Sequence, residues 1–199
     1  MATNAHSERT LSPDSAMAHP GQTPAMILVA ALLLGFQSSL YACEKREPTR
    51  EMHPGPHDYS AGVPETRLWR EGDGGEPLFL RARVLDTCGT PLAGARVQVL
   101  HANQDGHHEP DRWRADLITD ERGTFQLITV FPGYAGSIAR HIHFIITHPD
   151  HRQLVTRLFF RNDPALDHGI ADLAMVLEEI EHKQGRGWVA GYEFVLSPR

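Results

Sequence analysis

From Pro77 onward, turn-forming residues cut the chain into short stretches of alternating or continuous apolar character, and this spacing constrains the fold more than anything else in the sequence. Residues 78–85 (LFLRARVL), 95–100 (ARVQVL), 124–130 (TFQLITV), 141–147 (HIHFIIT), 153–160 (QLVTRLFF) and 191–196 (GYEFVL) each read as a strand. Between them lie D-T-C-G-T-P at 86–91, D-E-R-G at 120–123 and Pro132-Gly133, where aspartate, glycine and proline supply the backbone angles of turns. Short strands so closely spaced predict an all-β domain, an antiparallel β-sandwich. Residues 163–181 are the exception, because Ala171, Ala174, Met175 and Leu177 set among acids predict a short helix. No fixed-period repeat occurs, which removes propellers and solenoids.

With 199 residues, 41 % of them hydrophobic, the chain can bury one core, so a single folded domain over residues 77–199 is expected. The formal charge is −6 with both signs interspersed, which argues against a nucleic-acid partner. Histidine is the unusual component. Of 13, eight lie between Leu100 and Ile170 (His101, His107, His108, His141, His143, His148, His151 and His168), and that clustering points to metal binding.

Ahead of the strands, residues 25–36 (AMILVAALLLGF) form an apolar run of the length of a secretory h-region, too short to span a bilayer as a helix. Residues 1–43 are therefore expected to be an export segment, giving a periplasmic, envelope or extracellular protein. Arg9 is the only fixed positive charge before the run, so Met17 and Met26 stand as alternative starts. Leu40-Tyr41-Ala42-Cys43 resembles a bacterial lipobox, which implies a lipid anchor on Cys43. A lipidated Cys43 leaves Cys88 alone, so no intramolecular disulfide is expected. Residues 44–76, rich in Pro, Gly, His and charge, read as a flexible tether.

Alternation along a strand sends His141 and His143 to one side and Ile142 to the other, so two imidazoles can close on one metal ion. Around this pair the order of blocks is informative. D-T-C-G-T-P-L-A-G-A-R-V-Q-V-L-H-A-N-Q-D-G-H-H (86–108), T-D-E-R-G-T-F (119–125), T-V-F-P-G-Y (129–134), R-H-I-H-F (140–144) and L-V-T-R-L-F-F-R-N-D (154–163) together resemble the catalytic domain of the intradiol ring-cleavage dioxygenases. The resemblance implies an antiparallel sandwich with a non-haem Fe(III) site. It also implies cleavage of a catechol-like aromatic diol by O2, with His141 and His143 as ligands. Such enzymes are often oligomers, and the sequence leaves the oligomeric state open.

The family's two tyrosinate ligands are matched less directly. His108 occupies the place of the first, and an ungapped alignment puts Ala135 at the second, with Tyr134 one residue earlier and able to reach the site from a loop. The family's substrate-facing arginine falls on Ile138, with Arg140 next to His141, and its glutamine on Arg157; either arginine can offset charge on a dianionic substrate. Ligands His108, Tyr134, His141 and His143 are less anionic than a two-tyrosinate set, which shifts preference from Fe(III) towards Fe(II), Cu(II) or Zn(II). A non-catalytic exported Cu- or Zn-binding sandwich is thus the alternative function. Residues 86–97 also resemble the first hairpin of transthyretin-like and carboxypeptidase-regulatory binding modules, a third alternative.

Overall fold

A computed structural model describes residues 43–53, 62–109 and 111–199; the export segment expected over residues 1–43 lies, but for Cys43, outside the described residues. The strands are β1 (Pro77–Asp86), β2 (Arg96–His101), β3 (Arg114–Ile118), β4 (Thr124–Val130), β5 (His141–Thr147), β6 (Leu154–Phe160), β7 (Ala174–Met175), β8 (Leu177–His182) and β9 (Gly185–Leu196). They form two sheets, ordered β4-β1-β9-β8 and β3-β2-β5-β6-β7. Pairing is antiparallel except for β1 with β9 and β6 with β7, so the sandwich is mixed at two places. Parallel neighbours need a crossover, and here β1 and β9 lie at opposite ends of the domain.

Alternation decides which face of each strand is buried. Leu78, Leu80, Ala82 and Val84 of β1 point inward with Phe125, Leu127 and Phe194 of their neighbours, all buried. The second sheet answers with Val97, Val99, Ile142, Phe144, Ile146 and Leu158. Phe194 stacks on Phe125 at 6.2 Å and meets Phe144 across the interior at 5.0 Å, so one aromatic cluster ties the two sheets together. With Ile142 and Phe144 inward, His141, His143 and Ile145 face outward from the second sheet.

The helix expected over 163–181 is corrected to a short 3-10 segment, His168–Leu173, kinked at Ile170 and followed by β7 and β8. Asp167 caps it by accepting from the Gly169 N–H. Residues 177–182 (LEEIEH) are instead an edge strand, whose pairing with β9 overrides the weak β-propensity of glutamate. The short strand β3 lies outside the segments that the sequence pattern marks as strands, and β9 begins six residues before its expected start, at Gly185 instead of Gly191.

Part of the expected tether is laid on the body. The Arg46 N–H donates to Thr87 O and Thr49 N–H to Val195 O, then Met52 N–H donates to Val155 O. Arg50 reaches Asp172 at 3.0 Å and accepts from the Thr156 hydroxyl through its carbonyl. Residues 46–52 therefore run from the end of β9 to the free flank of β6, strapping the two sheets together. The strap begins at a disulfide between Cys43 and Cys88, with Cα atoms 5.3 Å apart. This corrects the expectation that no intramolecular disulfide forms, and a Cys43 sulfur so bonded is not free to carry a lipid thioether.

Candidate metal centre

Register builds the site. His143 lies between Leu100 of β2 and Arg157 of β6, and His141 lies opposite Phe159, so these side chains share the outer face of the second sheet. Loops cover that face, leaving His141 7 % and His143 1 % exposed. The two Nε2 atoms approach to 3.0 Å. His141 Nδ1 donates to Ala139 O at 2.7 Å, which fixes the tautomer and leaves Nε2 with its lone pair directed at the gap. Two imidazole nitrogens that close, each ~2.1 Å from one ion, would subtend about 90° there, an ordinary ligand angle.

His108 comes from the loop after β2, and Asn103 shapes that loop. The Asn103 side-chain oxygen accepts from the N–H groups of Asp105 and His107, its amide donates to Glu109, and its carbonyl accepts from Gly106 and Gly133. Gly106 has φ of +83° and packs so closely on the Tyr134 carbonyl that no Cβ would fit. The His108 ring then lies 6.0 Å from His143, edge-on. Imidazoles sharing one ion have centroids at most roughly 6.5 Å apart, so His108 is within reach of the pair. Among the described residues no group of three or more His, Cys, Asp or Glu is closed around a common point. The preformed element is the pair His141 and His143, with His108 beside it.

Tyr134 is placed differently. The residue is 40 % exposed, and its ring carries the Arg140 guanidinium at 4.7 Å. Arg140 is also 4.7 Å over Phe131 and donates through Nε to Asp163 at 2.8 Å. Burial pushes the Asp163 carboxyl up, but the Arg140 hydrogen bonds and charge, with the Ala165 N–H, hold it below the usual range. Arg140 thus holds a buried carboxylate at the edge of a cleft of about 440 Å³ that Tyr134, Phe131 and Gln104 also line. Arg157 sits across from His143, gives Nη2 to the His53 carbonyl at 2.9 Å, and keeps a buried Nε with no hydrogen-bond partner among the described residues.

The imidazoles of His108, His141 and His143 suit a metal that accepts neutral nitrogen donors; a pair of anionic oxygens, which would favour Fe(III), is not seen beside them among the described residues. The sequence points to His108, Tyr134, Arg140, His141, His143 and Arg157, and to His101 as one of the clustered histidines, but assigns no role to Asn103 or Asp163. Asn103 had a signal, the A-N-x-x-G segment, in which asparagine makes Asx turns.

A dioxygenase family model matches residues 56–198. Catechol 1,2-dioxygenase of Acinetobacter baylyi is 30 % identical over 159 residues, covering 62 % of this chain and 51 % of that protein. Hydroxyquinol 1,2-dioxygenase of Nocardioides simplex is 31 % identical over 120 residues, 48 % of this chain and 41 % of the relative. The chain thus spans about half the length of the curated relatives it matches. Among solved structures, 3-chlorocatechol 1,2-dioxygenase from Rhodococcus opacus 1CP superposes with TM-score 0.65 at 24 % identity, over 76 % of this chain and 73 % of that one. The dioxygenase domain of a carbohydrate-binding fusion from Streptomyces sp. SirexAA-E gives 0.65 at 25 % identity, covering 77 % of this chain and all (100 %) of that one.

Proposed function

Since the chain belongs to the intradiol ring-cleavage dioxygenase family, we propose that it is an exported oxidoreductase that opens a catechol-like aromatic ring with O2 at a metal held by His141, His143 and His108. The observation that carries this reading is the 3.0 Å approach of two buried Nε2 atoms, one of them in a tautomer fixed by a backbone carbonyl. A redox-active ion held there supplies the Lewis acidity and electron exchange that such cleavage needs. Arg157, facing His143 with one buried donor unspent, binds and orients the charged diol. Leu100 and Phe159, on the same face, give the ring an apolar bed. Export is supported by the disulfide, which persists in an oxidising compartment.

A second reading has its own observation. Tyr134 stacked on Arg140 leaves the site with imidazole donors, which suit Cu or Zn storage by a non-catalytic envelope protein. Iron-loaded protein supplied with catechol or hydroxyquinol under oxygen separates the two. Oxygen uptake with formation of a muconate-type diacid, lost together with metal in His143→Ala, is expected; a fully metallated protein that consumes no oxygen leaves only the storage reading. The iron form should also lack a visible tyrosinate band, and a burgundy sample would put Tyr134 on the iron.

A further inference from the structure

The β5–β6 connection reads His148-Pro149-Asp150-His151, and the His151 N–H donates to the His148 carbonyl at 3.2 Å. Proline at the second position presets the turn, and a turn of this kind brings its first and last residues together. The result is a second pair of imidazoles, beginning seven residues after His141 and just beyond the end of β5, with His148 Nδ1 and His151 Nδ1 3.1 Å apart and ring centroids at 5.0 Å.

We propose that His148 and His151 form a second, solvent-completed binding site for a divalent transition-metal ion such as Zn(II). Two ring nitrogens at this separation match adjacent ligands of one ion with bonds of ~2.1 Å. Both rings are half-buried, so water can supply the remaining ligands. The surroundings suit a cation: the carboxylates of Asp86 and Asp150 lie close enough for their charge to act on His151. Asp150 N–H points at His148 Nδ1 from 3.3 Å, a long hydrogen bond that an ion can displace. No third protein ligand is in place among the described residues, so the site is a two-histidine clasp.

The test strips the full chain of metal with a chelator, titrates it with Zn(II), and counts bound equivalents while following imidazole C–H proton resonances. The parent should bind one equivalent more than His148→Gln or His151→Gln, and the resonances of both rings should shift as it binds. The substitutions leave the main-chain bonds of the turn in place, and the Arg199 Nε contact to His151 O as well, so they preserve the fold. Equal uptake by parent and variants, or rings whose resonances stay still while Zn(II) binds, would mean that the two imidazoles only share a hydrogen bond. His108→Gln should leave this equivalent untouched, which separates the clasp from the centre on β5.

Discussion

Protonating His101 is costly because its ring has no water to turn to. It is fully buried, its Nδ1 bonds the Ala102 carbonyl at 2.8 Å, and its Nε2 meets the Thr129 hydroxyl at 2.6 Å. The carbonyl can only accept, so Nδ1 carries the proton and Nε2 accepts from Thr129, a fully satisfied neutral ring. Burial above all lowers its pKa from 6.5 to about 4. The unfolded chain therefore takes up this proton first as pH falls. The stability His101 contributes is complete above about pH 6.5 and is lost as pH drops towards 4, roughly 3 kcal/mol in all. Urea unfolding at pH 7, 6, 5 and 4 should show that decline in the parent and a flatter slope in His101→Gln. A parent whose stability is level from pH 6.5 to 4 would contradict the assignment.

At the scale of elements, what was legible was whatever repeats locally. The period of two in H-I-H-F-I-I-T sends both histidines to one side and Ile142 to the other, and the register with β2 and β6 agrees. Strands β3 and β8 were missed because edge strands carry charge where core strands carry valine or isoleucine, as LEEIEH does. The loop that presents His108 was half legible. Its glycine was visible, but its closeness to Tyr134 depends on a loop 28 residues away in sequence. That closeness can be tested against Gly94, whose φ of +73° is similar but whose Cβ would meet nothing. Gly94→Ala should cost about 1 kcal/mol for its backbone angle alone. Gly106→Ala should cost about 3 kcal/mol, adding the clash with the Tyr134 carbonyl, and should release metal by displacing His108. Equal losses in denaturant titrations of the two variants would show that the loops are free to part.

For the whole molecule, the strap is the feature no local pattern could announce, since it joins Cys43 to Cys88 across 45 residues and then threads β9 to β6. It ends at the site: the His53 carbonyl holds Arg157, which faces His143. Stapling the start of the strap limits the unfolded chain, and closing a loop of this size is worth about 4 kcal/mol in the chain-entropy account. In the folded protein the same staple keeps the strap, and through it Arg157, in register with the imidazoles. Reduction should therefore lower the melting temperature by roughly 8–16 °C, the shift that about 4 kcal/mol brings in a domain of this size. Substrate affinity should fall more than metal content, because His141 and His143 are fixed by β5 and not by the strap. Cys88→Ser should reproduce both effects without reductant. Intact mass and thiol alkylation under non-reducing conditions decide the premise: no free thiol and no added mass on Cys43 are expected. A diacylglyceryl mass there, or two alkylated cysteines in an unchanged, stable protein, would free the strap and return this stretch to the role of a tether.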